Sequence, residues 1–90
     1  MKNVTGLIRG VLAHRAGRHP DDVRAWHNLE RDLDLTPLEL VLVTLEVEEA
    51  VDVELPAEEL ATLETVGDLF VFVTRAVADE RRQQLLAHVA

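Results

Sequence analysis

The stretch TPLELVLVTLEVEEAVDVELP, residues 36–56, specifies a helix together with its start and its stop. Thr36 is placed to be the N-cap. Pro37 follows at the first helical position, where a fixed φ suits the helix and a missing N–H costs nothing, and Glu39 completes a Thr-x-x-Glu capping box. At the helical advance of about 100° per residue the stretch separates into two faces. Leu40, Val43, Val47 and Val51, with Thr44 and Ala50 beside them, form an uncharged stripe that reads as core. The other face sets Leu38, Val41, Leu42 and Leu45 among Glu39, Glu46, Glu48 and Glu49. Apolar contacts inside an acidic rim are either covered by a loop and the neighbouring helices or offered to a partner.

Downstream of this helix, residues 53–56 form a short extended step, and Pro56 with Ala57-Glu58-Glu59-Leu60 reads as one or two helical turns with acids at their positive end. Thr65 can cap a last helix in which Val66, Leu69, Phe70, Val73, Ala76 and Val77 share one face and Asp68, Arg75 and Asp79 lie opposite. If that helix continued through residues 79–90, Leu85, Leu86 and Val89 would project away from the core stripe. They would then meet a dimer or crystal neighbour, a partner, or the body of the protein after a bend. Upstream, Val4, Leu7, Ile8, Val11 and Leu12 recur at helical spacing, Gly17 is placed to end that helix, and Arg18-His19-Pro20-Asp21-Asp22 opens a long connection. Residues 23–35 carry no sustained stripe. Val23, Trp26, Leu29, Leu33 and Leu35 are spaced to pin the connection on the bundle, with Trp26 a packing residue rather than a ligand platform.

The expected elements are helices near 3–16, 37–51 and 66–80 and a short one near 57–62, with no strand pairing. The expected core centres on Leu7, Val11, Leu40, Val43, Val47, Val66, Leu69 and Val73.

A chain of 90 residues is one small domain, and its formal net charge of -8 disfavours phosphate backbones and anionic membranes as partners. Basic protein surfaces are the natural counterpart. The chain has no cysteine, so neither disulfides nor thiolate chemistry is available. No apolar run approaches a signal peptide or a membrane span, which reads as a cytoplasmic protein.

The chain resembles the acyl and peptidyl carrier proteins. Their motif Asp-Leu-x-x-Asp-Ser-Leu-Asp is matched by Asp32-Leu33-Asp34-Leu35-Thr36-Pro37-Leu38-Glu39, followed without a gap by Glu54-Leu55-Pro56 and later by Thr65-Val66-Gly67-Asp68. The resemblance implies an all-α, acyl-carrier-protein-like four-helix bundle over residues 1–78, with three long helices and a short third one, and a helical extension or tail over 79–90. In the family the serine of Asp-Ser-Leu carries 4'-phosphopantetheine on its hydroxyl. The aligned residue here is Pro37, and the chain has no serine at all. Asp34 stands where the family commonly has glycine; Asp tolerates unusual backbone angles better than most residues.

Other chemistry is not indicated. His14, His19, His27 and His88 are dispersed without metal-ligand spacing, and no Gly-rich phosphate loop or nucleophile triad is present, so neither a metal nor an enzyme is expected. Thr36 is the one hydroxyl beside the lost serine, but it is an N-cap, one residue out of register and β-branched.

Three functions compete. The first is a carrier-like binding module without its arm, a recruiter, regulator or decoy that docks carrier-recognising enzymes through Leu38, Glu39, Val41, Leu42, Leu45, Glu46, Glu48 and Glu49. It needs no cofactor and is a monomer or weak dimer. The second is a working acyl or aminoacyl carrier holding 4'-phosphopantetheine, by way of Thr36 or because the natural residue at 37 is serine. The third is a structural subunit of a larger assembly.

Overall fold

Each of the three long helices begins on a side chain that satisfies its otherwise unpaired N–H groups. The computed structural model describes residues 3–89, with the side chains of 88 and 89 outside that description, so the expected contact of Val89 and the placement of His88 lie outside the described residues. Helix α1 spans Val4–Ala16 and starts on Asn3, whose Oδ1 accepts the Gly6 N–H at 3.0 Å. It ends at Gly17, where φ is 67° and the Arg18 N–H reaches back to the Ala13 carbonyl at 2.8 Å. Helix α2 spans Pro37–Val51 and ends on Asp52 with φ 55°. Short 3-10 helices lie at Pro20–Asp22, in the connection between α1 and α2, and at Ala57–Thr62, and α3 covers Val66–Val89. At the start of α3 the Thr65 hydroxyl oxygen accepts the Asp68 N–H at 3.1 Å, while the Asp68 carboxylate accepts the N–H groups of Thr65 and Glu64, each at 3.0 Å. The all-α reading holds.

Helix α1 packs against both α2 and α3, and the extents are 46 × 27 × 20 Å. The connection between α1 and α2 lies on the bundle through Val23, Leu29, Leu33 and Leu35, all buried. It is pinned to the start of α3 by backbone hydrogen bonds: Val66 N–H to His27 carbonyl and Leu29 N–H to Glu64 carbonyl, both 2.9 Å, and Gly67 N–H to Ala25 carbonyl at 2.8 Å. These form one isolated antiparallel bridge, Asn28 with Thr65, and no strand among the described residues. A side chain at Gly67 would meet the Ala25 carbonyl oxygen at 3.2 Å, so glycine permits this docking.

Four expectations change. Trp26 is not an anchor: it is 71% exposed, at the tip of a turn closed by the His27 N–H on the Arg24 carbonyl. His27 is buried instead, with Trp26 lying across it at 4.2 Å between ring centroids. On α1 the buried stripe runs through Ile8 and Leu12, with Val4 and Val11 alongside, and Leu7 is only half-buried outside the core cluster. Both Leu7/Val11 and Ile8/Leu12 are four apart, so the apolar arc is too broad for its spacing to fix its centre. On α3 the core also takes in Phe72, which is buried, while Phe70 packs against the core partly exposed, with the Arg9 guanidinium 5.8 Å above its ring. Finally, α3 does not end near residue 80 or bend back; it runs unbroken to Val89. No proline or glycine follows Gly67, and residues 80–87 are mostly strong helix formers.

Candidate functional site

The start of α2 is built from the residues that mark it in the sequence. Asp34 takes φ 56°, turning the chain so that Thr36 arrives extended at the N-cap. The Thr36 hydroxyl oxygen then accepts the Glu39 N–H at 3.1 Å, and the Glu39 carboxylate accepts the Thr36 N–H at 3.1 Å. Pro37 occupies the first helical position and is exposed. The surface at this helix start therefore presents a pyrrolidine ring, beside a threonine hydroxyl engaged in capping.

Below it lies the face with mixed apolar and acidic residues. Leu38, Val41 and Leu45 are 68%, 42% and 53% exposed, so the other helices leave these side chains uncovered. Leu42 is half-buried, turned further toward the body than Leu45. The four glutamates separate in role. Glu39 is held in the capping box, and Glu46 makes an ion pair at 2.7 Å with Arg15 of α1. Glu48 and Glu49 form no ion pair among the described residues. They sit in the last turn of α2 with no basic residue beside them, against the negative end of the helix dipole, an arrangement that costs stability. With Leu45, Asp52, Val53 and Glu54 they line a shallow hollow of about 330 Å³.

The pairing of Arg15 with Glu46 was not readable from spacing, because it joins two helices separated by the long connection. A second feature also escaped the sequence: an open groove of about 1210 Å³ between the end of α2, residues 53–63 and the outer side of α3. Its only signal was the density of acids over 48–59 and 79–80.

Asp68 has a carboxyl held below the ordinary carboxylate range by the backbone N–H of Thr65 first and that of Glu64 second. Its role is the helix start. Among the described residues no group of His, Asp and Glu is placed to hold a metal, and no helix is long and apolar enough to cross a membrane.

Comparison with known proteins finds the phosphopantetheine attachment site family matching residues 6–70. The chain is 37% identical over 60 residues to a probable acyl carrier protein of Caulobacter vibrioides, covering 67% of this chain and 70% of the relative. It is 32% identical over 69 residues to an acyl carrier protein of Rhodococcus erythropolis, covering 77% and 76%. A meromycolate extension acyl carrier protein of Mycolicibacterium aurum is 29% identical over 72 residues, covering 80% and 73%.

Proposed function

The chain belongs to the phosphopantetheine-attachment family of acyl carrier proteins, and from that premise we propose that it is a carrier-like binding module, not an enzyme, that has lost its attachment point and docks carrier-recognising enzymes without a covalent arm. The observation that carries this reading is Pro37. The run to Leu55-Pro56 aligns it without a gap with the family's attachment serine, and no serine exists elsewhere in the chain. A phosphodiester to the arm needs a hydroxyl, and proline offers none. The neighbouring Thr36 hydroxyl oxygen already accepts the Glu39 N–H inside the cap, and it is a hindered secondary alcohol. The residues present therefore do not fit a phosphodiester-linked arm.

What remains along the exposed side of α2 is a surface for recognition. Leu38, Val41 and Leu45, with Leu42 at their inner edge, supply apolar contact, and Glu48 and Glu49 supply charge not used in ion pairs within the protein. A basic, apolar-centred site on a partner is the complement. The relatives are acyl carriers, one of them for meromycolate extension, which supports seeking that partner among enzymes that build acyl chains.

The test is intact mass after incubation with coenzyme A and a broad-specificity phosphopantetheinyl transferase. The wild-type chain is expected to stay unmodified, and a mass gain on Thr36 would overturn the reading. Pro37→Ser, at an exposed first-turn position that tolerates serine, is expected to fold and to take the arm if the surrounding surface is still read by the transferase.

A further inference from the structure

We infer that the C-terminal extension of α3 is a dimerisation arm, whose arginine and leucine side chains enter the acid-rimmed groove of a second copy of the same chain. The groove has an apolar floor that includes Leu55, Leu63 and Phe72, and its rim carries Glu48, Glu54, Glu58 and Glu59 from one wall and Asp79 and Glu80 from the other. Arg75 is the single Lys or Arg among its lining residues. An occupant must therefore combine positive charge with apolar side chains.

The C-terminal segment has that chemistry. Arg81 and Arg82 are its only consecutive arginines, and Leu85 and Leu86 follow within the next turn. On the helix these leucines are 68% and 63% exposed, and every side chain over 81–87 is exposed. The segment cannot fill its own groove, because α3 runs without a break from Val66 to Val89 and is itself one wall of that groove. It can fill another copy's.

The geometry closes on itself. Asp68, Phe72, Arg75, Asp79 and Gln83 line the groove at helical spacing of three or four, and Leu86 is the next position of the same stripe. Two α3 helices laid antiparallel about a two-fold axis place each extension over the other's groove wall, so both sites fill at once and no open chain of copies forms. Arg82, about 40° from Leu86 around the helix, then faces the acids of the groove, while Leu86 covers the apolar floor and Leu85 lies at its edge. This inference stands independently of whether position 37 can be loaded.

The test is sedimentation equilibrium of the full chain from about 10 μM to about 1 mM, a range that spans moderate to weak association. The wild type is expected to dimerise, more weakly at high salt. Leu85→Glu with Leu86→Glu, Arg81→Glu with Arg82→Glu, and Glu58→Arg with Glu59→Arg should each weaken association about tenfold or more, since every substitution acts twice in a two-fold interface. All these positions are exposed, so far-UV circular dichroism and the melting midpoint at low concentration should stay near wild type. Combining the two charge reversals in one chain should restore the dimer. A wild type that is monomeric throughout, including one whose groove takes a different basic protein, overturns the inference. So does a dimer indifferent to the leucine variants, or charge reversals whose effects add without rescue.

Discussion

Val47→Ala, set against Val41→Ala on the opposite face of the same helix, tests the face assignment on which every functional statement about α2 depends. Val47 is fully buried in the cluster that joins Ile8, Leu12 and Val73, whereas Val41 is 42% exposed. Removing two buried methyl groups at Val47 loses about 1.6 kcal/mol of transfer free energy, at roughly 0.8 kcal/mol for each carbon. The unfilled space adds to this, and the better helix propensity of alanine returns up to about 0.5 kcal/mol. The net cost is about 1 to 3 kcal/mol, which in a domain this small lowers the melting midpoint by roughly 5 to 20 °C. At Val41 the propensity gain applies with little burial to lose, so the change should stay within about 0.5 kcal/mol of wild type. Thermal and urea unfolding of the two variants side by side is the assay. Equal losses at both positions, or a larger loss at Val41, would refute the assignment of the buried and presented faces.

Asp52→Gly should raise the urea midpoint, by about 0.5 to 1 kcal/mol of stability, because glycine holds the left-handed φ of 55° without strain and removes a carboxylate from the negative end of α2. An unchanged or lower midpoint would show that the left-handed cap carries no strain to relieve. Asp68 is held ionised by the N–H groups of Thr65 and Glu64, so its contribution is complete above the ordinary carboxylate range and is lost as pH falls through its lowered folded value. The stability gap between wild type and Asp68→Asn should therefore be widest near neutrality and shrink in acid; a gap that does not change with pH counts against this. With a partner recovered by pull-down from the native host, Glu48→Lys with Glu49→Lys should mainly slow association, and Leu45→Ala should mainly speed dissociation. Unaltered rates in both would move the docking surface off α2.

Much of the fold was legible because local and global signals agreed. Thr36, Pro37 and Glu39 placed the start of α2, Gly17 the end of α1, and Thr65 with Asp68 the start of α3, and in each case a hydrogen bond or a left-handed turn in the structure is the physical content of the signal. The misses share a cause. Spacing fixes the width of an apolar arc better than its centre, so it does not separate Leu7 from Ile8 on α1, and it does not show that Phe72 joins Phe70 on the core side of α3. Trp26 was read by its size, but backbone bonds from Ala25 and His27 to the start of α3 decide this segment, and they leave the indole at an outward turn. The core stripe of α3 ends near residue 80, but the backbone continues wherever no residue stops it, so of the helical extension or tail open for residues 79–90 the structure has the helix, as far as Val89.

The surface of α2 was legible to a different depth. Its composition gave four glutamates one common role, yet two of them have work inside the protein: Glu39 closes the cap and Glu46 ties α2 to α1 through Arg15. A charge reversal at Glu46 would break that tie, so its effect on binding could not be separated from its effect on the bundle. Glu48 and Glu49 differ in that they oppose the helix dipole, a cost typically of about 0.3 to 1 kcal/mol for each charge, with no ion pair among the described residues to offset it. A sequence selected for stability alone would favour lysine or arginine in that turn. The two carboxylates that the fold does not use are thus the ones to which the proposed docking assigns the steering charge, and they lie beside Leu45 at the far end of the helix from Pro37. Recognition placed there would not depend on a hydroxyl at position 37, which is proline in this chain.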